Sequence, residues 1–142
     1  MANSTSASPS LPIYSKLDPL RREIRLLTLH PSEDHTKPIH ASLHVISLYH
    51  HPHYEALSYC WGSKENQLSI SLSGQDIKIN TNLHSALVRL RERKHPRILW
   101  IDALCINQKD DRERRQQVQM MSEIYSSARY VQAWLGLETE DN

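Results

Sequence analysis

At 142 residues the chain has the length of one domain, long enough to enclose a real core. Its net charge of +1, with 23% charged residues, lacks the basic bias of a nucleic-acid binder and the long acidic arm of an interaction tail. No apolar run approaches the roughly 20 residues that span a bilayer, and two cysteines behind a polar start without an apolar signal core fit a reducing, cytoplasmic setting.

Residues 1–20 form the N-terminal segment. It is expected to be disordered, its first dozen residues, MANSTSASPSLP, being rich in Ser, Pro and Asn. Ile24–Leu29 (IRLLTL) reads as a short strand and Pro31–Pro38 as a loop. Ile39–Leu48 places Ile39, Ala41, Leu43 and Val45 on one parity, the period-2 signature of a half-buried strand, with His40 and His44 on the wetter face. Tyr49–His53 (YHHPH) is a turn. Its histidines invite a metal reading, but no Cys, Asp or Glu stands at ligand spacing, so a loop apex fits better. Tyr54–Tyr59 reads as a strand ending at Cys60-Trp61-Gly62, where Gly62 suits positive φ or close backbone approach.

Leu68–Leu72 and Ile77–Ile79 flank a Gly-containing turn and predict a β-hairpin. Asn80 or Thr81 caps the next helix, which gathers Leu83, Ala86, Leu87 and Leu90 on one face and ends in cations before Pro96. That basic end (Arg89, Arg91, Arg93, Lys94, Arg97) is interrupted by Glu92 and not interleaved with aromatics, so it reads as solvated surface. Ile98–Ile101 (ILWI) is a continuous apolar run, hence a strand buried on both sides. Asp102 follows at its end, and Ala103–Lys109 is expected to be a loop. Asp110 and Glu113 stand at N-cap and N3 spacing, a capping box in which Glu113 reaches back to the Asp110 N–H. Val118, Met121, Tyr125 and Ala128 then mark the inner face of a helix, with Ile124 beside it, and Tyr130–Leu135 closes the sheet before a short acidic tail over 138–142. The order predicts an α/β domain over 21–137 with a mixed, partly parallel central sheet, a β-hairpin and flanking helices, the last βαβ unit parallel.

In open α/β sheets ligands sit outside the carboxyl ends of strands. Two such ends stand out, Tyr59-Cys60-Trp61-Gly62 and Asp102 through Gln108. If the strands are neighbours, Tyr59, Trp61, Gly62, Asp102, Asn107 and Gln108 line one pocket. Each has a plainer role: Asp102 as an acceptor for the loop's N–H groups, Trp61 as core, Glu113 as a cap. Cys60 and Cys105 fit small buried thiols better than nucleophiles or ligands of a standard zinc pattern. With three glycines in the chain no phosphate-cradling Gly-rich loop is present.

Four separated blocks, YEALSYCWG (Tyr54–Gly62), NLHSALVRLR (Asn82–Arg91), Leu99–Ala128 and VQAWLG (Val131–Gly136), resemble the heterokaryon-incompatibility (HET) domain of filamentous fungi. The resemblance implies non-self recognition and regulated cell death, a form of innate immunity, carried by protein partners or self-assembly and needing no cofactor. It also implies a module usually placed at the start of larger proteins, so that the chain reads as a short member or a fragment. A more distant likeness to Toll/interleukin-1 receptor-type (TIR) domains implies a second role, cleavage of NAD as substrate by a glutamate. Glu113 is then the candidate catalytic residue, although the TIR pattern Trp-Cys-x-x-Glu is not present around it. A carboxylate there would stabilise an oxocarbenium-like ribosyl cation.

Overall fold

A computed structural model describes residues 13–59 and 66–134, with the Tyr59 side chain left aside. Seven strands form one mixed sheet: β1 (Glu23–Leu29), β2 (His40–Ser47), β3 (Glu55–Tyr59), β4 (Gln67–Leu72), β5 (Gln75–Asn80), β6 (Arg97–Ile101) and β7 (Tyr130–Trp134), in the spatial order β5-β4-β2-β1-β6-β3-β7. The helices are α1 (Thr81–Leu90), α2 (Asp102–Cys105) and α3 (Asp111–Ser127). The α/β class with a partly parallel sheet is therefore as expected.

β1 lies at the sheet centre, antiparallel to both β2 and β6. Ile24, Leu26, Leu27 and Leu29 are all buried, so alternation hands apolar side chains to both faces. Arg25 interrupts that run and is itself buried, a point that governs the site. β2 keeps the expected parity, with Ile39 and Ala41 inside and His40 and His44 exposed. The β4–β5 hairpin turns through Ser73 at φ 50° and Gly74 at φ 84°, two successive left-handed residues that match the twist of a tight hairpin. Ser73 tolerates this because its Oγ accepts the Leu43 N–H at 2.9 Å. Asn80 caps α1 by accepting the Leu83 N–H at 2.8 Å, and Leu83, Ala86 and Leu87 are buried.

β3 pairs in parallel with β6 on one side and β7 on the other. The strand ending at Tyr59 thus lies beside the strand ending at Ile101, with their carboxyl ends on the same edge. β7 does not touch β6; β3 is inserted between them, and β7 closes the sheet with Tyr130 and Val131 exposed.

Three local expectations are corrected. Ala103–Lys109 is not wholly loop, because Asp102–Cys105 turn once as α2, closed by the Ile106 N–H on Asp102 O. The fully buried line of α3 is Glu113, Gln117, Met120 and Ile124; Met121, Tyr125 and Ala128 pack against the core beside it as expected, and of that face Val118 alone departs, 55% exposed. The physical cause is polar anchoring: Glu113 meets Arg25, and Gln117 donates to Glu23 O at 3.1 Å. Third, residues 13–18, assigned to the segment outside the domain, pack on it. Ile13 touches the core, and Tyr14 Oη donates to Leu104 O at 2.9 Å.

Candidate functional site: a buried ion pair behind an open pocket

Arg25 is 1% exposed, yet it carries a full charge into the centre of the sheet. Its guanidinium meets the Glu113 carboxylate fork to fork, Nη1 to Oε2 at 2.6 Å and Nη2 to Oε1 at 2.8 Å. Planar bidentate pairing of this kind is what makes a buried charge tolerable. Nη1 also donates to Cys105 O at 3.1 Å and Nη2 to Ser15 O at 2.5 Å. The Tyr14 ring covers the guanidinium, 4.9 Å from its centroid. Burial pushes the Tyr14 phenol up to about 12, so it stays protonated and keeps donating to Leu104 O.

Glu113 is not the back-reaching member of a capping box. Its Oε2 accepts the Asn107 N–H at 2.7 Å, while the Asp110 N–H goes to Asn107 O. Asp110 does cap α3, its Oδ1 accepting from Arg112 N and Glu113 N at 3.1 Å each. One carboxylate therefore ties β1, the 107–109 loop and the start of α3 together. To act on a ribosyl cation it would first have to leave Arg25.

A half-open pocket of about 540 Å³ lies on the other side of Tyr14 and Leu104. Asn107, Gln108 and Lys109 form one wall, and β5 with the first turn of α1 forms the opposite one. Gln108 Nε2 donates to Asp102 O at 2.8 Å and Asn107 Oδ1 accepts the Lys109 N–H, so both carboxamides are anchored. The structure thus brings Asn107 and Gln108 to one wall, with the Asp102 backbone holding Gln108 from below. Glu113 stands behind that wall, on the Asn107 backbone. Tyr59 ends β3 next to β6, and Trp61, Gly62 and Cys60 lie outside the described residues.

Cys105 is fully enclosed. Its Sγ lies 3.4 Å from the Ile101 N, and burial pushes the thiol up to about 12, so it is not a nucleophile at neutral pH. Among the described residues no group of three or more His, Cys, Asp and Glu is placed to hold a metal ion, and no helix is long and apolar enough to cross a membrane. The basic stretch after α1 is largely spent on internal partners. Arg91 donates to the carbonyls of His35, Lys37 and Pro38, and Arg97 pairs with Glu55 at 2.6 Å.

Reading the sequence missed Arg25, Tyr14 and the hairpin wall. The available signal was the arginine inside IRLLTL, since a charge within a strand buried on both faces needs a partner.

The sequence model of the family described as "Heterokaryon incompatibility protein (HET)" matches residues 54–142, more than half of the chain. The chain belongs to the heterokaryon incompatibility family. It is also similar to "Heterokaryon incompatibility protein 6, OR allele" of Neurospora crassa, 36% identical over 132 residues. That match covers 84% of the chain and 19% of the relative's length. The chain thus spans about a fifth of this curated relative. No solved structure matches the chain.

Proposed function

We propose that the chain is an effector module of fungal heterokaryon incompatibility: on non-self contact it engages protein partners or further copies of itself and commits the cell to regulated death. The observation that carries this reading is the 36% identity to a protein named for heterokaryon incompatibility, in a match that covers 84% of the chain. The family match from residue 54 to 142 supports it, because it spans β3 to β7 and so includes both walls of the pocket and Glu113. An effector module must be a stable, pre-formed body. The ion pair serves that end by fastening β1, the 107–109 loop and α3 to one another.

The test is inducible expression in a filamentous fungus, with viability scored at matched protein level. Wild type lowers viability, and a variant unfolded at the growth temperature does not. Unimpaired growth at matched level would refute an effector role for this segment alone. A Glu113→Gln variant reports chemistry only when its thermal midpoint is measured beside its toxicity and cellular NAD, since that change also breaks the Arg25 pair.

A further inference from the structure

We infer that the pocket in front of Tyr14 binds a small organic anion with a flat apolar body, of the class of a nucleoside monophosphate. Its volume of about 540 Å³ falls within the roughly 300–1,000 Å³ typical of small-molecule sites. Three features of the lining select the class. The floor is apolar, formed by Ile77, Ile79, Leu83 and Leu104, and suits a ring. Carboxamides stand around it, and an amide presents both a donor and an acceptor, which a heterocycle edge or a sugar hydroxyl can satisfy. Asn107 and Gln108 are anchored at one end before any ligand arrives, so less freedom is lost on binding.

Charge decides the rest. Lys78 and Lys109 both line the pocket, one from β5 and one from the 107–109 loop, and no carboxylate lines it among the described residues. An unopposed pair of cations favours an anionic group on the ligand. A neutral ring would leave that field unused, and inorganic phosphate would leave the apolar floor unfilled. The site lies outside the ion pair and does not require Glu113 to act as a catalyst.

The experiment is calorimetric titration of the full chain with adenosine 5′-monophosphate, adenosine and inorganic phosphate at low salt. The monophosphate binds, adenosine binds at least tenfold more weakly, and phosphate alone gives no saturable heat. Lys78→Glu combined with Lys109→Glu lowers affinity for the monophosphate at least tenfold with the thermal midpoint unchanged, because both lysines are exposed. Reversing two exposed cations elsewhere, Arg93→Glu with Lys94→Glu, leaves affinity within twofold. Ala103→Trp, which fills the pocket from α2, abolishes binding, and a thermal scan shows whether it still folds. The inference is overturned if the monophosphate does not bind up to millimolar concentration, if adenosine binds equally well, or if both charge-reversed variants lose affinity alike.

Discussion

Replacing Glu113 with Gln removes one charge from a pair whose side chains are 1% and 8% exposed, and leaves the Arg25 guanidinium buried against an amide. Gln retains an acceptor for the Asn107 N–H, so the loss is chiefly that of charge compensation. Breaking a buried pair from one side costs about 3–5 kcal/mol, a large share of the roughly 5–15 kcal/mol that stabilises a domain. At about 3 °C per kcal/mol for a chain of this length, the thermal midpoint falls by about 9–15 °C. Arg25→Met has the same sign and a similar size, since it strands the carboxylate instead. The double variant Arg25→Met, Glu113→Met separates compensation from general disruption. It removes both charges, fills the volume with apolar atoms, and recovers to within about 2 kcal/mol of wild type. Differential scanning calorimetry and urea unfolding of the four proteins give the coupling free energy, expected above about 2 kcal/mol. Single variants costing less than about 1 kcal/mol, or a double variant as unstable as the sum of the two, would refute the claim that this pair holds the domain together.

Three further outcomes follow from the same geometry. Gly74→Ala costs about 1–2 kcal/mol in urea unfolding; nothing lies within 4 Å of an added Cβ, so the whole cost is the left-handed backbone at φ 84°. Asn80→Ala and Asp110→Ala each remove a helix cap and lower stability by about 1 kcal/mol. Their losses add, because the caps serve separate helices. In a Cys60→Ser background the remaining thiol, Cys105, is unreactive toward a thiol reagent at pH 8 until the protein unfolds. The folded-state pKa of Cys105 is raised from 9.0 to about 12, so the unfolded chain releases that proton first as pH rises. The stabilisation is complete below about pH 9 and is lost between there and about pH 12. Cys105→Ala accordingly flattens the fall in stability over that window, and an unchanged slope would count against the buried-thiol assignment.

Much of the fold was legible because it is local. Alternation marked β2, the apolar run of ILWI marked a strand covered on both sides, and Gly74 with its neighbours marked the hairpin turn. Asn80 and Asp110 announced two helix starts through side-chain chemistry that acts over three residues. The resemblance of four spaced blocks pointed to the family that the match over residues 54–142 establishes. Asn107 and Gln108 line a pocket with β5 and the start of α1, a partnership that their strand-end position did not suggest.

What remained was decided by partners distant along the chain. Arg25 and Glu113 are 88 residues apart, and no local pattern tells a capping glutamate from one bound to a buried guanidinium. That contact, with Gln117 on the β1 backbone, puts two polar residues on the buried line of α3, where an apolar pattern does not look for them. The place of β3 between β6 and β7 likewise follows from sheet pairing, to which each strand's own sequence is indifferent. Propensity and periodicity are properties of neighbours and so are written along the chain. The energy of a buried charge depends on what faces it, which exists only once the chain has folded.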